Sequence, residues 1–185
     1  MNKNYKLLRE NTGLLLIDVQ EKLFPYVENS CPVMQTLQKA VRGFQILNLP
    51  IYATEQYPQG LGPTVATLKG VLGQDQKYLV KTTFSCLDDA IIKEELLKAP
   101  VDQWVVVGIE AHVCVLQTVK DLIENGKQVT VLNDAISSRS IYDFSTAIAE
   151  LRDCGARISS TETVLFELLR NSKAAEFKEI SQLIK

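Results

Sequence analysis

The sequence changes character in the run Trp104-Val-Val-Val-Gly-Ile-Glu-Ala-His-Val-Cys114-Val, where an apolar strand ends at Gly108 and an amphipathic helix follows within a few residues. The helix is predicted from about Ala111 to Glu124, with Gly126 as its C-terminal stop. A strand that passes directly into a helix is the basic step of α/β proteins, in which parallel strands alternate with crossover helices.

The rest of the chain repeats this alternation. The run Gly13–Asp18 is continuously apolar, which is typical of a strand buried on both faces. Further strands are predicted at Ile51–Glu55, Tyr78–Lys81, Trp104–Val107, Gln128–Leu132 and Ala156–Ser160. Helices are predicted at Cys31–Asn48, Leu87–Lys98 and Ser140–Asp153 and in two C-terminal pieces, with a Gly/Pro-rich loop at Gln56–Pro63. The alternation predicts an α/β fold with right-handed crossovers and a parallel sheet covered on both faces.

The composition limits the kind of protein. A length of 185 residues suits one domain, predicted over residues 1–185, and is short for two. A net charge of −2 gives no electrostatic footprint for nucleic acid or an anionic membrane, so neither is a predicted partner. No apolar run approaches the roughly 18 residues that span a bilayer, and the N-terminus lacks the apolar core of a signal peptide. The four cysteines are scattered, which favours reduced thiols in a cytoplasmic protein.

Three residues of chemical interest lie at or just beyond the carboxyl ends of predicted strands. They are Asp18, Lys81 and Cys114. Ligands of parallel α/β sheets bind at that edge, so a base, a cation and a thiol are expected to meet there. Cys114 also lies over the first turn of a helix, where unpaired N–H groups and the helix dipole favour a negative charge. This position predicts a lowered pKa for Cys114 and a sulfur that is ionised at neutral pH.

Each of the three residues has an alternative explanation. Asp18 can be a carboxylate that caps a helix or turn, Lys81 a surface lysine at a strand end, and Cys114 a small buried hydrophobe, as most free cysteines are. The functional interpretation makes Asp18 a general base that takes the thiol proton and later returns it to a leaving group. Lys81 then orients that carboxylate.

The remaining cysteines and the only histidine are predicted to lie outside this chemistry. Cys31, Cys86 and Cys154 fall in or beside helical runs, away from the predicted edge. His112 is two positions from Cys114, and side chains at that spacing on a helix do not face each other. A capping or surface role is therefore predicted for His112, and one histidine argues against a multi-histidine metal site.

Several motifs resemble a known family. Leu15-Leu-Ile-Asp18-Val-Gln20, Lys81-Thr-Thr-Phe-Ser85 and Gly108-Ile-Glu-Ala-His-Val-Cys114-Val are similar to the isochorismatase-like cysteine hydrolases, relatives of nicotinamidase. The stretches Thr54-Glu-Gln-Tyr-Pro-Gln-Gly-Leu-Gly-Pro-Thr-Val65 and Asp134-Ala-Ile-Ser-Ser-Arg-Ser140 resemble the isochorismatase domain-containing proteins of animals and protists. The resemblance implies a three-layer α/β/α, Rossmann-like fold around a six-stranded parallel sheet, with an Asp18–Lys81–Cys114 catalytic triad.

The resemblance also has implications for the backbone and for metals. It implies a cis peptide bond at Ile109–Glu110, which turns the Glu110 N–H toward the pocket to form an oxyanion hole with the N–H of Cys114. Nicotinamidases carry an Asp-x-His-x-x-His metal site after the second strand, whereas this chain has Glu55-Gln-Tyr-Pro-Gln. This departure argues against a metal and against nicotinamide as the substrate. No cofactor is expected.

Two hypotheses follow. The first is a metal-independent hydrolase of a small amide-type C–N bond, with a pocket lined by Phe24, Gln56, Tyr57 and Ile109. The second is a non-catalytic binding or scaffold protein that keeps the fold and the pocket. A third possibility, a nuclease, has no support in the charge balance. Because relatives often form dimers or larger assemblies, a homo-oligomer is expected.

Overall fold

A six-stranded parallel sheet is the central element of the computed structural model, which describes residues 6–185. The strands are β1 (Thr12–Ile17), β2 (Ile51–Gln56), β3 (Tyr78–Lys81), β4 (Gln103–Ile109), β5 (Gln128–Ser137) and β6 (Arg157–Ser159). They lie in the order β3-β2-β1-β4-β5-β6, and every neighbouring pair is parallel. The strand order reverses between β1 and β4, which places the expected ligand crevice beyond their carboxyl ends.

Helices cover both faces of the sheet, which confirms the three-layer α/β/α prediction. They are α1 (Ser30–Ile46), α2 (Pro58–Leu61), α3 (Ala66–Leu72), α4 (Ala90–Lys98), α5 (Leu116–Glu124), α6 (Ile141–Asp153), α7 (Thr161–Leu169) and α8 (Phe177–Ile184). Buried side chains of α1, α3, α7 and α8 form one apolar cluster with the sheet. Those of α4, α5 and α6 form a second cluster on the opposite face.

Strand β1 has a continuous apolar run because its side chains pack on both faces of the sheet. Leu14 and Leu16 enter the cluster on the α1 side, whereas Leu15 and Ile17 enter the cluster on the α5 side. Because successive side chains of a strand point to opposite faces, a strand covered on both faces is apolar at successive positions rather than at alternate ones.

The structure differs from the prediction at several element ends. Strand β5 continues past Leu132 to Ser137, and its register with β4 shifts between Val106 and Gly108. The polar pair Asn133-Asp134 interrupts the apolar run, so the second half of the strand was missed. Helix α3 was also missed; its N-terminus has no side-chain hydrogen-bonding cap to mark it. A short helix, α2, occupies part of the predicted Gly/Pro-rich loop.

The predicted helices on either side of β4 also begin differently. The helix predicted from Leu87 is a short 3-10 turn followed by α4, where the Asp89 side chain accepts hydrogen bonds from the first-turn N–H groups. The helix predicted from Ala111 starts with one π-helical turn, Ala111–Val115, before α5.

Gly108 allows β1 and β4 to approach closely just before the site. Its φ of +117° lies where side chains are rarely tolerated, and an added Cβ would lie 2.1 Å from the carbonyl oxygen of Ile17. A glycine is therefore required at this position. None of the helices within residues 6–185 has the length and apolarity needed to cross a bilayer.

Candidate active site

Asp18, Lys81 and Cys114 meet at the carboxyl edge of the sheet. Asp18 directly follows β1 in a left-handed conformation with φ of 51°, a region that Asp tolerates better than most residues. Lys81 ends β3, and Cys114 lies in the π-helical turn after β4. The three residues are 0%, 1% and 7% exposed. Burial of an aspartate and a lysine to this extent requires close pairing.

Lys81 holds the Asp18 carboxylate. Its Nζ donates to Asp18 Oδ2 at 2.6 Å and to Gln56 Oε1 at 2.7 Å. It also donates to the carbonyl oxygens of Thr83 and Phe84, each at 3.2 Å. Burial lowers the pKa of Lys81, but the Asp18 charge and the thiols nearby raise it above its usual value. The ammonium therefore stays charged, and the alternative of a surface lysine is excluded.

The Cys114 thiol lies near the Asp18 carboxylate, which acts on its pKa. Burial raises the pKa of Cys114 above its usual value, the Asp18 charge raises it further, and the Lys81 charge offsets only part of the increase. The predicted lowering of this pKa was wrong. A helix terminus stabilises a charge by only about 0.3–1 kcal/mol, whereas burial can move a pKa by several units. Burial and the Asp18 charge therefore both favour the neutral form of the Cys114 thiol.

The four predicted pocket residues lie in different environments. Gln56 contacts Lys81 through Oε1, and its Nε2 donates to the Thr82 carbonyl at 2.8 Å. The Tyr57 side chain is 53% exposed at the start of α2. Phe24 and Ile109 belong to the buried apolar cluster on the α1 side, and Ile109 has no exposed surface. Of the four, Gln56 hydrogen-bonds to Lys81 of the candidate triad.

The turn that carries Cys114 contacts the loop after β5. The Ile109–Glu110 peptide bond is cis, as the family resemblance implied. The Glu110 carboxylate accepts from Arg139 Nε at 2.8 Å, and His112 Nδ1 lies 2.9 Å from Ser138 Oγ. His112 Nε2 lies 3.9 Å from Asp143. Both ring nitrogens thus face residues of the β5–α6 region. The half-buried His112 therefore has a structural role and is not a partner of the Cys114 thiol.

Cys86 is a site residue that sequence reasoning missed. It was predicted to lie away from the edge, and this was wrong. Burial raises the pKa of Cys86 to about 12, the Asp18 charge contributes, and Lys81, Thr118 and Thr54 offset part of the rise. Cys86 is fully buried, and its N–H donates to Thr118 Oγ1 at 3.0 Å. Its position five residues after Lys81, in the same loop, was the available signal.

We expect Cys86 to make the folded protein sensitive to alkali. The thiol of an unfolded chain ionises near its ordinary value of 9.0, whereas the folded thiol stays neutral to about pH 12. The stabilising contribution is therefore complete below pH 9 and is lost as pH rises above it. Urea unfolding between pH 9 and 11 should show a free energy of unfolding that falls less steeply for Cys86→Ala than for the wild type, by about 1.4 kcal/mol per pH unit.

The exposed thiol of Cys31 provides the control for this measurement. Cys31→Ala should keep the wild-type dependence of unfolding free energy on pH. Equal slopes for the wild type and Cys86→Ala would contradict the prediction.

Glu55 begins the segment in which nicotinamidases carry their metal ligands. In this chain its carboxylate is used in internal hydrogen bonds. Glu55 Oε1 accepts from the Thr64 N–H at 2.6 Å and from Thr64 Oγ1 at 2.8 Å. Across the part of the chain that the structure describes, no group of three or more His, Cys, Asp or Glu side chains is arranged to hold a metal ion.

Comparison with known proteins identifies close relatives. The Isochorismatase domain model matches residues 12–163. Isochorismatase domain-containing protein 2 of Homo sapiens is 38% identical over 97% of this chain and 86% of its own length. Among solved structures, MAR1 ribonuclease from Caenorhabditis elegans matches with a TM-score of 0.91 and 38% identity over 97% of this chain and 92% of that one. YcaC of Escherichia coli, described as an octameric hydrolase of unknown specificity, matches with a TM-score of 0.91 and 22% identity over 97% and 89% of the two chains.

Proposed function

We propose that this chain, which belongs to the isochorismatase family, is a metal-independent cysteine hydrolase that cleaves an amide-type C–N bond in a small substrate. Family membership supports a hydrolase. The observation that carries the finer proposal is the buried Asp18–Lys81 ion pair with the buried Cys114 thiol near its carboxylate. A thiol near a carboxylate that is itself fixed by an ammonium is the arrangement that nucleophilic catalysis needs.

Acylation begins with proton transfer. Asp18 takes the proton of Cys114 as the sulfur attacks the substrate carbonyl carbon, so the thiolate forms only during the attack. The backbone N–H groups of Glu110 and Cys114 stabilise the oxyanion that develops. As the tetrahedral intermediate collapses, Asp18 returns the proton to the departing nitrogen, which leaves as an amine. A thioester on Cys114 remains.

Deacylation uses the same residues in reverse. Asp18 takes a proton from water, and the resulting hydroxide oxygen attacks the thioester carbonyl. The carbon–sulfur bond breaks, the sulfur regains its proton from Asp18, and the acid product leaves. Lys81 keeps Asp18 in place throughout, and Gln56 steadies Lys81. Phe24, Tyr57 and Ile109 complete the proposed pocket together with Gln56.

Acid-quench trapping tests the proposed chemistry directly. The protein is mixed with 4-nitrophenyl acetate, quenched in acid within the first turnover, digested and analysed by mass spectrometry. An acetyl group is expected on the peptide that contains Cys114. The exposed Cys31 in the same digest reports non-specific acylation. An adduct spread over all the thiols, or none, would instead support the non-catalytic binding protein.

The same proposal extends to substrate class, location and assembly. The net charge of −2 supports a small substrate over a polyanion, although one relative is described as a ribonuclease. Cleavage of a fluorescent RNA by this chain, lost in Cys114→Ala, would overturn that preference.

Four free cysteines support a reducing, cytoplasmic location. The octameric description of YcaC supports a homo-oligomer.

A further inference from the structure

The Asp18 carboxylate is held at both of its oxygens. Lys81 Nζ donates to Oδ2 at 2.6 Å, and Thr54 Oγ1 donates to Oδ1 at 2.7 Å. Thr54 is 1% exposed and belongs to β2, the strand between those that carry Asp18 and Lys81. Because a carboxylate with one bound oxygen can turn about its χ2 angle, the second hydrogen bond fixes its plane. The Lys81 contact alone does not supply this restraint.

Thr54 also lies near the buried Cys86 thiol, where it offsets part of the rise in the pKa of that thiol. The Cys86 backbone N–H donates to Thr118 Oγ1 at 3.0 Å. Thr118 lies one helical turn after Cys114, so the loop that carries Cys86 is joined to α5.

We infer that Thr54 is a positioning residue, whose hydroxyl orients the Asp18 carboxylate toward both the Cys114 thiol and the departing nitrogen. This inference rests on the proposed function. Asp18 moves a proton in each half of acylation, first from sulfur and then to the leaving group. If the carboxylate turns away from the leaving group, the rate falls most for substrates whose leaving group must be protonated before it departs.

The dependence of the hydrolysis rate on the leaving group therefore distinguishes a loss of positioning from a general loss of activity. An anilide leaves as an amine and needs a proton, whereas 4-nitrophenolate leaves without one. In Thr54→Val, which keeps the shape and removes the donor, hydrolysis of 4-nitroacetanilide should fall about a hundredfold and hydrolysis of 4-nitrophenyl acetate by about tenfold or less. Both losses should appear in kcat rather than KM. Thr54→Ser, which keeps the hydroxyl, should recover most of the anilide activity.

Thr12→Val is the matched control. Thr12 is a fully buried strand threonine whose hydroxyl donates to the Leu8 carbonyl at 2.7 Å, at the opposite end of the sheet. The Thr12→Val variant should leave the rates of ester and anilide hydrolysis unchanged. If Thr54→Val does not fold, Thr54→Ala removes the same donor without placing a methyl group against the carboxylate and should give the same ester-to-anilide contrast.

The outcomes distinguish this inference from the function on which it rests. Unchanged rates in Thr54→Val, or equal losses with ester and anilide, would overturn the positioning role while the function stands. A wild-type protein that hydrolyses neither acyl probe would overturn the proposed function itself. A larger loss with the anilide, recovered in Thr54→Ser, supports both.

Discussion

Replacement of Cys114 by alanine is expected to lower kcat/KM by at least about a thousandfold. The sulfur is the only group of the proposed triad that bonds to the substrate, and a methyl group in its place leaves no nucleophile for Asp18 to activate. The fold should persist, because the change removes one atom from a site that retains the Asp18–Lys81 pair. We expect the free energy of unfolding to change by about 1 kcal/mol or less. Hydrolysis of 4-nitrophenyl acetate and urea unfolding check the two halves of this prediction.

The control for this variant is Cys31→Ala, which removes an exposed thiol and should keep wild-type kcat/KM. Activity that survives in Cys114→Ala would contradict the mechanism. In that case Asp18 and Lys81 would have to be regarded as a buried structural pair. A variant that loses activity because it unfolds would be recognised by its urea transition.

The second large effect concerns stability. Lys81→Met should lower the free energy of unfolding by about 3–5 kcal/mol, because it leaves a buried charge without its partner. Asp18 and Lys81 have no exposed side-chain surface, and their contact measures 2.6 Å. Methionine resembles lysine in length but provides no charge, so Asp18 would retain Thr54 as its hydrogen-bond donor while losing the cation. Turnover should be lost as well, because Lys81 no longer holds the proposed base in place.

A double variant separates the charge from the packing. Asp18→Asn combined with Lys81→Met removes both charges and should recover most of the stability, although not the activity. Lys120→Met provides a matched surface control. Lys120 pairs with Glu150 at 2.7 Å, but both side chains are 40% or more exposed, so its loss should cost about 1 kcal/mol or less. Equal destabilisation by Lys81→Met and Lys120→Met would contradict the role assigned to the buried pair.

The two predictions address different uses of the same carboxylate. Asp18 is the buried ion-pair partner of Lys81, and in the proposed mechanism it is also the base that activates Cys114. Comparing the variants shows whether the fold tolerates the loss of the nucleophile while depending on the base.

The amino-acid pattern alone determined the parallel strands and the edge of the sheet at which the candidate site lies. The apolar run before Asp18 and the run Trp104–Val107 predicted buried parallel strands, and the carboxyl ends of parallel strands necessarily share one edge. That rule was sufficient to place Asp18, Lys81 and Cys114 at the same edge of the sheet. The prediction of the strands needed only the local hydrophobic pattern, which can be recognised within each short segment of the sequence.

The tertiary structure decided what no single stretch contains. The second half of β5 is held by pairing with β4 and lacks an apolar pattern of its own. Cys86 and Thr54 join the site through contacts between separate loops and strands. The pKa of Cys114 rises because burial and the Asp18 charge act through space and outweigh the helix terminus that the sequence displays. Burial and electrostatic fields are sums over residues that are distant along the chain, so they exist only once the chain has folded.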